Sequence, residues 1–79
     1  MEQLLNAYFQ VLDLAKDNAF KCVILVETSQ GSGDPFFSVW VKKFDEKFEP
    51  SQFVPFYPFL PNELQPNVEK VKQLIEISC

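Results

Sequence analysis

The sequence contains no histidine, and its cysteines are only two, Cys22 and Cys79, far apart along the chain. Histidine is the side chain that most often transfers protons in active sites near neutral pH. A structural zinc site needs four nitrogen or sulfur ligands at short spacings, and two distant cysteines cannot provide them. Cys22 also lacks a histidine that could activate it as a nucleophile. We therefore expect a protein that is not an enzyme and that has no metal site and no cofactor.

Arginine is absent as well, since all seven basic residues are lysines, and the net charge is −4. Arginine is the residue that best recognises phosphate and guanine in a bidentate manner. Trp40, Lys42 and Phe44 share one strand face, with Lys43 and Lys47 nearby, and such a face resembles a platform for single-stranded nucleic acid. Three neighbouring acidic residues count against that function. We interpret the face as half core and half solvated rim, and we do not expect a nucleic-acid partner.

No apolar run approaches the roughly 18 residues that a membrane span requires. Glu2 stands where a secretory signal would carry basic residues, and Cys79 is not followed by the three residues of a prenylation motif. Cys22 lies in an apolar run and is expected to be a buried thiol outside any disulfide, which suits a reducing compartment. The sequence thus predicts a cytoplasmic protein without a membrane partner.

The composition supplies ample core material: 47% of the 79 residues are hydrophobic and 15% are aromatic. We expect residues 1–79 to form a single domain. Residues 2–18 predict a helix, because polar side chains recur at steps of three and four along one stripe. At about 100° per residue the apolar side chains span an arc of roughly 220°, with Phe9 and Leu14 at its two edges. Asn18 is a plausible end of this helix.

Two strands should follow and form a hairpin. Residues 20–28 predict the first strand, and its middle, residues 23–26, is apolar on both faces, so we place this strand at the centre of the sheet. Residues 29–35 are typical of a turn. In residues 36–44 the two faces alternate, with Phe37, Val39 and Val41 on one face and Trp40 on the other.

Residues 45–67 carry five prolines among aromatic side chains. A short third strand at residues 52–56 is expected to lie at a sheet edge, because proline cannot donate to a ladder. Asn67 is a good N-cap for a C-terminal helix. The predicted fold is α+β, in the order α-β-β-(β)-α, with an antiparallel sheet between N- and C-terminal helices and an irregular segment rich in proline and aromatic residues.

Pro55, Pro58 and Pro61 fall at every third residue, which is the repeat of a polyproline II helix. The aromatic segment between them has two interpretations. Its side chains either fold back as a lid over the core of the chain, which we favour, or offer a surface to a partner. The residues concerned are Phe56, Tyr57, Phe59 and Leu60.

Two further features have simple structural explanations. The Gly31-Ser32-Gly33 sequence lies between two strands and lacks the lysine and the third glycine of phosphate-binding loops. It predicts a hairpin loop. Asp45, Glu46 and Glu49 form a small acidic cluster without the spacing of a calcium loop, and we interpret them as solvated carboxylates.

The apolar arc of the first helix and the surplus of aromatic residues exceed what one small α+β unit can bury. Exposed apolar patches mark interaction sites. The sequence therefore predicts a protein–protein interaction or regulatory module that forms a homodimer or binds a protein partner. The first alternative is a small protein that binds an apolar or aromatic ligand between the sheet and the proline segment, and the less favoured one is an accessory binder of single-stranded nucleic acid. The candidate surface residues are Phe9, Val11, Leu14, Trp40, Phe56, Tyr57 and Phe59.

Overall fold

The computed structural model describes residues 2–28, 36–47 and 49–78. The order of elements is α-β-β-β-α, as the sequence predicts, with two short 3-10 turns, Pro50–Gln52 and Pro61–Glu63, in the proline-rich segment. The fold class is thereby confirmed. The predicted hairpin loop at Gly31-Ser32-Gly33 and the residue Cys79 lie outside the described residues. The elements are α1 (Glu2–Asp17), β1 (Val23–Thr28), β2 (Phe37–Lys42), β3 (Phe53–Phe56) and α2 (Leu64–Ser78).

The three strands form one antiparallel sheet in the order β1-β2-β3. The central strand is therefore β2, and the prediction that β1 is central is wrong. An apolar strand is expected at the centre because both of its faces are covered there. In β1 only Ile24 and Val26 pack against the core, whereas Leu25 on the other face is 38% exposed. A central position in the sheet therefore does not explain why β1 carries apolar residues on both faces.

Both helices lie on the same face of the sheet. Phe37, Val39 and Val41 of β2 are fully buried on that face, in agreement with the predicted alternation. Val54 and Phe56 of β3 join them, and Phe37 stacks on Phe56 with ring centroids 4.3 Å apart and planes 10° apart. The helices complete this core with buried side chains from α1 (Leu4, Ala7 and Val11) and from α2 (Leu64, Val68, Val71 and Ile75).

The end of α1 is held by Asn18, which follows the last helical residue. Its Nδ2 donates a hydrogen bond to the Leu14 carbonyl at 2.8 Å. Its own carbonyl accepts hydrogen bonds from the backbone N–H groups of Lys21 and Cys22, at 2.9 and 3.2 Å. These bonds satisfy a carbonyl of the last helical turn and turn the chain toward β1. Cys22 follows at once and is buried, as predicted.

The proline-rich segment does not form a polyproline II helix. Pro50 and Pro61 each lie in the first positions of a 3-10 turn, and Pro55 lies within β3. β3 is an edge strand, as expected. The predicted lid is only partly formed: Phe56 is in the core, while Phe59 is 62% exposed. The segment therefore contributes one strand and one core ring rather than a continuous cover.

The second helix begins at Leu64, three residues before the predicted N-cap. The 3-10 turn at Pro61–Glu63 leads directly into it, and Pro66 is tolerated in the first helical turn because N–H groups there have no intrahelical acceptor. Asn67 is thus a buried helical residue. Its Nδ2 donates a hydrogen bond to the Pro55 carbonyl at 2.8 Å, so that it ties α2 to the edge strand.

Candidate interaction surface

The face of the sheet opposite the helices carries a row of large apolar side chains. Side chains alternate along each strand, so the residues facing away from the helices follow from the strand register. We call this surface the helix-free face. Its residues are Val23, Leu25 and Glu27 of β1, Ser38, Trp40 and Lys42 of β2, and Phe53 and Pro55 of β3. Leu25 and Glu27 are exposed, Ser38 is buried, and the other five are half-buried.

A row of apolar side chains crosses the middle of the helix-free face. Leu25 is the cross-strand partner of Trp40, and Trp40 is the partner of Phe53. The rings of Trp40 and Phe53 are 4.8 Å apart between centroids and tilted by 48°. Such aromatic contacts stabilise a sheet surface by about 0.5–1.5 kcal/mol beyond area burial. We call Leu25, Trp40 and Phe53 the apolar row.

The rows on either side of the apolar row carry opposite charges. On one side Glu27 is paired with Ser38, and Ser38 with Pro55. On the other side Val23 is paired with Lys42. The Lys42 ammonium also donates long hydrogen bonds to the carbonyls of Lys43 and Phe44, at 3.4 and 3.3 Å. The helix-free face is therefore apolar in the middle, negative at one end and positive at the other.

Helix α1 presents a second exposed apolar surface, at Leu5, Phe9 and Leu12. Steps of four and three residues place these side chains on one flank of the helix. Phe9 is 57% exposed and Leu12 is 38% exposed. On the opposite flank Leu14 packs partly against the core, and Gln10 exchanges hydrogen bonds with Gln65 of α2. The wide apolar arc of α1 is therefore covered on one side only.

The structure separates the seven candidate surface residues into three groups. Val11 and Phe56 have no exposed area, so they belong to the core and not to any surface. Leu14 is partly buried against the core, and Trp40 and Tyr57 are half-buried, with Tyr57 close to Phe59 at 5.2 Å between ring centroids. Phe9 and Phe59 are exposed.

Sequence reasoning missed Leu25 and Phe53, which stand beside Trp40. Alternation within one strand cannot show this grouping, because it depends on the register between strands. The exposed positions Leu5 and Leu12 were also missed, although they lie near Phe9 on the predicted arc. Helical periodicity gives the angular positions of these residues, but it does not show on which side of α1 the helix α2 packs.

Two surface clefts are lined in part by residues of the helices. One lies between α1 and the start of α2 and is lined mainly by polar side chains, including Gln3, Asn6, Gln10, Asp13 and Gln65. Another lies between Phe53 and Val54 of β3 and the Leu74 and Ile77 side chains of α2. The first cleft is also lined by Pro61 and the second by Pro50, so both border the proline-rich segment, and neither is lined by Phe59.

The acidic residues Asp45, Glu46 and Glu49 are all exposed. Among residues 2–28, 36–47 and 49–78, no group of three or more acidic, cysteine or histidine side chains is arranged to hold a metal ion. None of the helices in these ranges has the length and apolar character to cross a membrane. Comparison of the chain with protein-family models, with curated proteins and with solved structures finds no match.

Proposed function

We propose that the protein is a non-catalytic protein–protein interaction module that works as a homodimer, and that two copies meet through the helix-free face. The observation that carries this proposal is the apolar row, in which a tryptophan is flanked by Phe53 and by the 38% exposed Leu25. Tryptophan and other large side chains at the centre of a surface, with a polar rim around them, are typical of interaction hot spots.

The size of the face indicates how tight such a dimer would be. Three strands about 4.8 Å apart and about 20 Å long offer a face of roughly 300 Å² in projection. A standard specific interface buries about 800 Å² on each partner. The helix-free face is smaller, even when its side chains are counted, so we expect a reversible dimer that dissociates at micromolar concentration.

Sedimentation of the wild-type protein and of two glutamate variants tests the proposal. Leu25 and Leu12 are both 38% exposed, but only Leu25 lies on the helix-free face. We expect Leu25→Glu to give a folded monomer, because a charge in the apolar row would be desolvated on association. Leu12→Glu, the matched control on α1, should leave the dimer intact.

Two outcomes would contradict the proposal. A wild-type protein that stays monomeric up to several hundred micromolar would exclude the homodimer. Dissociation by Leu12→Glu or Phe9→Glu, but not by Leu25→Glu, would transfer the interface to the exposed flank of α1. Circular dichroism of each variant shows whether it is folded, and Leu14 is avoided because its side chain packs against the core.

The proposal also includes a reducing compartment such as the cytoplasm. Its support is the burial of Cys22, whose Sγ lies 3.8 Å from the Asn18 carbonyl oxygen. Buried cysteines of this kind are common where thiols are kept reduced, whereas secreted domains of this size usually depend on disulfides.

A further inference from the structure

The distribution of charge on the helix-free face favours one way of stacking two copies. This inference rests on the proposed dimer and specifies its geometry. Two sheets that pack face to face lie about 10 Å apart, with their strands within about 30° of each other. In a two-fold dimer the same patch meets itself. The axis must then lie between the sheets, either along the central strand β2 or across the strands, along the apolar row.

An axis along β2 places each side chain of that strand opposite its own copy. Lys42 of one protomer would then face Lys42 of the other, and Leu25 would face Phe53 of the other copy. Like charges that face each other across an interface oppose association. Pairing the copies edge to edge through β1 is a third arrangement, but it would leave the apolar row in contact with water. The axis along β2 brings like charges together, and the pairing of β1 edges leaves the apolar row in water, so neither arrangement is favoured on both grounds.

An axis along the apolar row reverses the strand direction between the two copies. Leu25, Trp40 and Phe53 then face their own copies, and the row with Lys42 lies over the row with Glu27 and Ser38. Lys42 comes directly above Ser38 of the other protomer, and Glu27 lies one strand further, about 4.8 Å to the side. The long lysine side chain can reach that carboxylate. We propose that the two copies stack in this antiparallel way, with Lys42 of each protomer paired with Glu27 of the other.

Neither charged group belongs to the core, so this contact can form without loss of core structure. Glu27 is exposed, and the Lys42 ammonium donates to exposed backbone carbonyls at 3.3 Å or more. Both residues lie beside the apolar row and not within it. The ion pairs therefore form at the rim of the interface, where they determine orientation more than affinity.

Charge exchange between the two positions tests the orientation. Lys42→Glu brings a second carboxylate near Glu27 of the other copy, and Glu27→Lys brings a second ammonium near Lys42. Since each dimer contains two such contacts, each single variant should raise the dimer Kd about three- to tenfold at low salt. The double variant Lys42→Glu/Glu27→Lys restores opposite charges and should return the Kd to within about twofold of the wild-type value.

Matched controls come from α2, on the other side of the sheet. Lys70→Glu and Glu76→Lys make the same changes in net charge at exposed positions, and should leave the Kd unchanged. Lys42→Gln removes the lysine charge without adding a carboxylate, so a tighter dimer with this variant would indicate two facing lysines, and hence the axis along β2, and would overturn the inference. Equal Kd values for all variants would overturn it too, and in both cases the dimer itself would stand. A monomeric wild-type protein would instead refute the proposed function.

Discussion

The side-chain amide of Asn67 occupies a backbone hydrogen-bond acceptor at one edge of the sheet. The Phe56 carbonyl accepts a hydrogen bond from the Phe36 N–H at 2.9 Å and so points toward β2. By alternation the carbonyl of Pro55 points away from β2, toward the outer edge of β3. Proline has no N–H to offer there, and its carbonyl is bound by Asn67 at 2.8 Å. At this residue the outer edge of β3 therefore presents neither a donor nor an available acceptor to another strand.

We expect Asn67→Asp to destabilise the protein by about 1–3 kcal/mol at neutral pH. The substitution keeps the size of the side chain but replaces the donor with a second acceptor, which faces the Pro55 carbonyl in a buried position. Asn62→Asp in the exposed 3-10 turn is the control and should change stability by less than about 0.5 kcal/mol. Urea unfolding of the three proteins gives the comparison, and equal midpoints would show that the bond to Pro55 contributes nothing.

At the scale of elements, the two edges of the sheet differ. β3 is short, contains Pro55 and is tied to α2, all of which are means of protecting an edge. β1 is six residues long, and no strand within the described ranges pairs with its outer side. Its apolar residues have separate functions on the two faces: Ile24 and Val26 contribute to the core, and Leu25 extends the apolar row. The proposed interface would explain why a strand that is apolar on both faces lies at an edge of the sheet.

The stacked pair of Phe37 and Phe56 connects the central strand to β3, and its loss should be measurable. We expect Phe56→Leu to destabilise the fold by about 1–3 kcal/mol, since the variant loses a ring contact and leaves a change of shape in a close-packed core. Phe59→Leu makes the same substitution three residues later on an exposed side chain and should be nearly neutral. Similar losses in both variants, measured by thermal unfolding, would contradict the assignment of Phe56 to the core.

For the whole molecule, the small size of the chain is the main constraint. A domain of about 80 residues buries only about 60–65% of the surface of its unfolded chain, and its margin of stability is narrow. Disulfides, metals and oligomers commonly provide additional stability at this size. The proposed dimer through the helix-free face would be one such source of additional stability.

This coupling between association and stability predicts a concentration-dependent melting temperature. If unfolding requires dissociation, each tenfold increase in protein concentration should raise the Tm by about 4–5 °C. Leu25→Glu should melt at one temperature at all concentrations, because a monomer has no association equilibrium. A wild-type Tm that is constant from micromolar to millimolar concentration would separate folding from association and contradict the coupling.

The sequence by itself determined what depends on neighbouring residues along the chain. The order of the elements, the alternating faces of β2, the edge position of β3 and the burial of Cys22 all follow from local periodicity, proline chemistry and apolar runs. Only the tertiary structure decided that β1 lies at an edge, that α2 begins at Leu64, and that Leu25, Trp40 and Phe53 form one row. Periodicity shows which side chains share a face of one element, but lateral neighbours and register depend on contacts between distant parts of the chain. For the same reason the arc of α1 showed an excess of apolar surface, while only the packing of α2 beside it decided that the Phe9 flank is the exposed one.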